Sequence, residues 1–189
     1  MLHFIKKKLF VLCCILVSIN CSGYPNSNNF DLFLSNFADF DYPLNPTEFI
    51  VDREAKLQSK SILKKDYDDF LRESNDTFWR FKPFFEYSYG GKKKLNNYWI
   101  LFYSRSFVPD DVNLQKSEIV LLIFTLNGTK VSSLPVAGGY GDNLTFLSII
   151  NGSNDIVVKY TQYNKESEEI STKHYFVNSM GEIIAKPDV

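Results

Sequence analysis

Few residues in this chain are of the types that carry out chemistry. Histidine occurs twice, at His3 and His174, and cysteine three times, at Cys13, Cys14 and Cys21, all within the first 21 residues. A metal site or catalytic dyad that needs two imidazoles is therefore excluded, and the chain beyond Cys21 has neither a thiol nucleophile nor a disulfide. His174 as a general base would need a serine and a carboxylate from neighbouring strands, and no serine sits in the surroundings of a nucleophile elbow. A lone strand histidine reads better as a partly exposed packing residue. Paired carboxylates for glycoside hydrolysis must face each other across a cleft, and Asp110, Asp111 and Asp142 are the loop acids that would supply them.

Two loops stand out as possible recognition surfaces. The run Ala137 to Asp142, AGGYGD, has the glycines of a phosphate loop but neither its Gly-Lys-Ser/Thr ending nor a following helix, so nucleotide binding is excluded. A wide turn presenting Tyr140 and Asp142 is the expectation. Asp110-Asp111 marks the tip of a long polar connection, and neither it nor Asn151 to Asp155 has the alternating oxygen ligands and closing glutamate of a calcium loop. No metal or cofactor is expected. Trp79, Tyr87, Tyr89 and Trp99 could stack on sugars if they lay in solvent, although aromatic residues favour strands and cores. Asn75, Asn127, Asn143 and Asn151 each begin an Asn-X-Ser/Thr triplet, which reads here as a by-product of Asn-rich turns.

The elements that must position these residues begin with a leader. Lys6, Lys7 and Lys8 precede an apolar run from Leu9 to Ile19. Eleven helical residues span only ~16 Å, about half a bilayer's hydrocarbon core, so residues 1–20 read as an export signal and not as a transmembrane helix. Cys21 follows at once, in SINCSG, and resembles the lipobox cysteine of bacterial lipoproteins, although Asn20 stands where Gly or Ala is usual. The resemblance implies that Cys21 is acylated and begins the mature chain; the alternative is an ordinary signal peptide cut near Gly23, with Cys21 incidental. Residues 21–29 would then be the lipidated cysteine and a polar tether, and residues 30–189 one domain. Without the three leader lysines, 18 basic face 22 acidic side chains, which disfavours a nucleic-acid partner.

Within the domain, Phe30, Phe33, Leu34, Phe37 and Phe40 have helical spacing, and Ser59 or Ser61 to about Arg72 reads as a second helix with Ile62, Leu63, Tyr67, Phe70 and Leu71 on one side. The rest reads as strands. Thr77 to Tyr89 is aromatic and interrupted at Pro83, and Gly90 to Lys94 reads as a polar turn. Tyr98 to Tyr103 and Ile119 to Phe124 are apolar on both alternating faces, as strands covered front and back should be. Asn127-Gly128 is a hairpin signal, and Asn151-Gly152 and Asn178 to Gly181 repeat it. Asp155 to Tyr163 alternates, Thr172 to Val177 follows, and a short last strand ends near Ala185. The expected fold is α+β, an antiparallel meander with two N-terminal helices on one face. A β-sandwich or partial propeller is the alternative.

FDLFLSNF, NNYWILFYSRS, IVLLIFTLNGTKVSSLPVAGGYGD and HYFVNSMGEII together resemble a group of small, uncharacterised exported lipoproteins of Bacteroidota-type bacteria. The resemblance implies a cell-envelope location and a β-rich domain, and carries no activity. A non-catalytic envelope lipoprotein follows as the expected function, anchored to the membrane by its lipid, with a protein or glycan as partner. A carbohydrate-binding module and a hydrolase using His174 with loop carboxylates are the alternatives.

Overall fold

The computed structural model describes residues 27–46, 60–74, 76, 78–111, 115–140, 143–152, 155–164 and 166–187. Nine strands form one sheet in the order of the chain: β1 (Ala38–Asp39), β2 (Phe85–Lys94), β3 (Tyr98–Phe107), β4 (Lys116–Thr125), β5 (Lys130–Tyr140), β6 (Leu144–Asn151), β7 (Asp155–Tyr163), β8 (Glu168–Val177) and β9 (Ile183–Ala185). β1 runs parallel to β2 and every other pair is antiparallel, so the expected β-rich meander is present.

The centre is the β3–β4 pair, whose ladder runs without interruption from Tyr98↔Thr125 to Phe107↔Lys116. Alternate side chains point to opposite faces, so a run that is apolar at every position must be covered on both. On one face Leu101, Tyr103, Val120, Leu122 and Phe124 meet Phe30, Phe33 and Phe37 of the N-terminal segment and Tyr67, Phe70 and Leu71. The Phe33 ring stacks on Phe70 with centroids 4.4 Å apart. Each such side chain contributes about 1.5–3 kcal/mol by leaving water. On the other face Ile100, Phe102, Ile119, Leu121 and Ile123 share a core with Phe146, Ile150, Ile156, Val158 and Val177.

That second core exists because the sheet is not flat. β5 and β6 share only two residue pairs, Gly138↔Phe146 and Gly139↔Thr145. Beyond this narrow seam the sheet turns, bringing β6–β8 over the far face of β3–β4. Gly138 permits the close approach, since a Cβ there would lie 2.3 Å from the Ser117 carbonyl oxygen.

The β4–β5 hairpin turns where Asn127-Gly128 indicated. Thr125 N–H donates to Thr129 O at 2.8 Å, and Gly128 N–H to Thr125 O at 3.1 Å. Gly128 has φ +89°, and a Cβ would lie 2.6 Å from Phe30 Cγ, so this corner is also the seat of the N-terminal helix.

Several expectations are corrected. The helical cover is slighter than two full helices: α1 spans Ser27–Leu34, and the second segment is a short turn, α2 (Lys64–Asp66), running on as a π-turn over Tyr67–Leu71. The wide turn places Tyr67, Phe70 and Leu71 together on the sheet. Gly90 to Lys94 belongs to β2 and not to a turn, because the Phe102 ring lies against both glycines at a bulge between Tyr89 and Lys92. Phe78 to Phe84 is not strand, and β2 begins only at Phe85. Ala137 to Tyr140 is the end of β5 and not a wide turn.

Candidate functional site

Titratable side chains are buried together at one end of the helix-covered face. Arg105 lies on β3 with the same alternation as Leu101 and Tyr103, and Glu118 on β4 with that of Val120 and Leu122. The ladder sets the two directly opposite each other. Arg105 Nε donates to Glu118 Oε2 at 2.6 Å, and Nη1 donates to Asp76 Oδ2 at 2.8 Å. Side-chain exposure is 9% for Arg105, 0% for Glu118 and 14% for Asp76, so this is an internal ion triad and not a surface pair.

The loop that delivers Asp76 is folded around it. Asp76 Oδ1 accepts the N–H groups of Phe78 and Trp79 at 3.2 and 2.9 Å, and the Asp76 carbonyl accepts from Arg80. Those bonds lay the Trp79 ring beneath the guanidinium, 4.6 Å from centroid to Cζ. Nearby, Ser106 and Ser117 hydroxyls meet at 2.9 Å.

The triad's electrostatics are lopsided. Burial pushes the Glu118 carboxyl above the usual carboxylate range, and the adjacent Arg105 offsets only part of that rise. Its second oxygen, Oε1, is buried without a hydrogen-bond partner among the described residues. An enclosed carboxyl with a raised pKa can act as a proton donor or acceptor only where substrate can reach it, and Glu118 is fully covered. The arrangement instead fixes the loop carrying Trp79 onto the sheet.

A second feature is open to solvent. On the outer face of β6 and β7 a cleft of about 360 Å³ is lined by Asn45, Leu147, Ser148, Ile149, Val157 and Lys159. Leu147 and Ile149 are exposed large apolar side chains. Its wall is the segment around Leu44, whose backbone exchanges hydrogen bonds with Ile150 at 3.1 and 3.0 Å. An apolar floor beside one ammonium and one amide suits contact with a mixed apolar and polar surface.

No family model, curated protein or solved structure matches this chain.

The residues singled out in the sequence do not converge. Asp110 and Asp111 lie exposed in the β3–β4 connection. His174 is exposed on β8, opposite Val157, four strands from β4 in the sheet order. The backbone of Tyr140 ends β5 opposite Lys116. Cys21 and Asp142 lie outside the described residues. Trp79, Tyr87 and Tyr89 are core residues and Trp99 is half-buried, so these four rings form no open stacking platform. Among the described residues no three His, Cys, Asp or Glu side chains gather as metal ligands would.

Sequence reasoning missed the triad. A signal was present: two opposite charges, each in a strand covered on both faces and each on the inward alternation, have to find one another.

Proposed function

We propose that this chain is a non-catalytic lipoprotein of the bacterial cell envelope, exported by its leader, acylated on Cys21, and carrying a single β-rich binding or structural domain. The observation that carries the reading is the position of Cys21, directly after a basic segment and an eleven-residue apolar run, with no other cysteine in the chain beyond it. Acyl chains anchor at about 0.8 kcal/mol per buried methylene.

The geometry supports this reading from the other side. α1 begins at Ser27, six residues beyond Cys21. At ~3.5 Å per residue such a tether reaches at most about 20 Å, holding the domain against the lipid surface. The buried ion triad serves the fold, while the cleft on β6–β7 offers a protein or glycan partner an apolar floor with polar margins. In the same reading the two N-terminal helical segments form a lid over one face of the meander.

Expression of the full chain and of Cys21→Ala in a bacterial host tests the anchor. Wild type should incorporate an acyl label and partition into detergent, and the variant should do neither. Wild-type protein that is unlabelled and fully soluble would end the lipoprotein reading.

A further inference from the structure

We propose that Asn151 is a site of spontaneous covalent modification, its side-chain amide closing on the Gly152 nitrogen to leave aspartate or isoaspartate, while the fold holds the same dipeptide at Asn127-Gly128 unreactive.

The chain contains two Asn-Gly pairs, and both make hairpin corners, Asn127-Gly128 between β4 and β5 and Asn151-Gly152 between β6 and β7. Each corner needs its glycine, since φ is +89° at Gly128 and +66° at Gly152. The missing side chain also leaves the glycine nitrogen unhindered. That nitrogen attacks the asparagine Cγ, a C–N bond forms to close a cyclic imide, and the side-chain nitrogen leaves as ammonia, taking up the glycine N–H proton through solvent. Water then opens the imide at either carbonyl, giving aspartate or isoaspartate with one new negative charge. Water is the only co-reactant, and nothing is oxidised or reduced.

Closure requires the carboxamide to fold back over the following peptide and the glycine N–H to be given up. At the β4–β5 corner each of these parts is held. Gly128 N–H donates to Thr125 O at 3.1 Å. Asn127 Oδ1 accepts the hydroxyl of Thr125 and, at 3.3 Å, that of Thr129. Gly128 is buried, and a Cβ there would lie 2.6 Å from Phe30 Cγ, so this peptide cannot turn without pushing on the ring of α1.

The β6–β7 corner has none of these restraints among the described residues. Asn151 and Gly152 are both exposed, and a Cβ on Gly152 would meet nothing within 4 Å. Asn151 ends β6 and pairs with Asp155, which begins β7. The ladder stops at this pair, and the peptide into Gly152 lies beyond it. The product bears on its surroundings through charge. Asp155 already pairs with Lys186, Oδ1 to Nζ at 2.8 Å, so a carboxylate at position 151 sets like charges opposite each other across the end of the ladder. The next residue inward is Ile150, whose backbone exchanges hydrogen bonds with Leu44. Conversion therefore weakens the corner that holds the Leu44 segment against the sheet.

Peptide mapping of the full chain tests the assignment. Trypsin cuts after Lys116, Lys130 and Lys159, so the two pairs fall in separate peptides, and tandem mass spectrometry places the modified residue within each. In folded protein kept in mildly alkaline buffer, Asn151 should convert about tenfold or more faster than Asn127, the factor set by the hydrogen bonds that Asn127-Gly128 must give up. In urea, where neither corner exists, the two rates should converge. Gly152→Ala, whose Cβ crowds the attacking nitrogen, should suppress conversion at 151 and leave Asn127 as it was, with circular dichroism verifying the fold. Equal rates at the two corners of the folded protein overturn the proposal. So does an Asn151 that stays intact while the unfolded chain reacts, or a ratio that urea leaves unchanged, which would belong to the neighbouring sequence and not to the fold.

Discussion

Removing the cation at the centre of the triad is the most informative perturbation. Arg105→Met keeps most of the side-chain volume but leaves Glu118, fully covered, with no counter-charge, and leaves Asp76 with only its loop N–H groups. Breaking one partner from a buried pair costs about 3–5 kcal/mol, and loss of the contact with Trp79 adds about 1 kcal/mol. The penalty should depend on pH. Glu118 has its pKa raised in the folded state, so its contribution to stability is fully present below the unfolded carboxyl pKa of ~4.3 and is lost as pH rises through the folded value. Arg105 is what restrains that rise, so its removal widens the window: the variant should be much weaker than wild type at pH 8 and approach it near pH 5. Urea unfolding followed by Trp79 fluorescence reads the effect where it arises. Arg105→Met combined with Glu118→Leu should cost only about 1–2 kcal/mol, less than the single change, because an apolar pair replaces an uncompensated charge. A single variant that loses under about 1 kcal/mol, or a double variant worse than the single one, would refute the view that the triad is closed to water.

The corner glycines should respond unequally. Gly128→Ala meets both a positive φ and the Phe30 ring, and should cost about 2–4 kcal/mol in denaturant midpoint experiments. Gly152→Ala, with φ +66° but open space around its Cβ, should cost only about 1 kcal/mol. Tyr42 is pushed up to about 12 by burial, with Tyr98 adding to it. The folded state thus favours the neutral phenol, and that stability, complete below pH ~10, is lost as pH rises through about 12. An ultraviolet phenolate titration should lose one late-ionising group in Tyr42→Phe. Stability at neutral pH should change little, because the hydroxyl is buried without a partner among the described residues.

Much of the sheet was legible because its signals are local. Ile119 to Phe124 is apolar on both alternations and is buried on both faces, and Asp155 to Tyr163 alternates and turns Ile156 and Val158 inward. The Asn-Gly corners at 127 and 151 and the Asn178 to Gly181 turn all reverse the chain. Glycine misled elsewhere, since a residue without a Cβ serves a turn and a crowded bulge equally well. Gly90-Gly91 and Gly138 are in strands where the Phe102 ring and the Ser117 carbonyl press on them, contacts made by residues eleven or more positions away. The second helix shortened to a wide turn because the Tyr67, Phe70 and Leu71 stripe is satisfied by one turn against Tyr87 and Phe124. The triad needed the alternation of two strands and a separate loop at once. Only the strand half of that information is written along the chain.

From β2 onward every strand pairs with the one that follows it in the chain. Short sequence separation between partners lowers the entropy of closing each ladder and favours rapid folding. Such a molecule can zip up strand by strand as it emerges, with each finished hairpin templating its successor, and β1 alone must wait some fifty residues for its mate. A nascent chain stalled after β4 would already hold the pair that the rest is built upon.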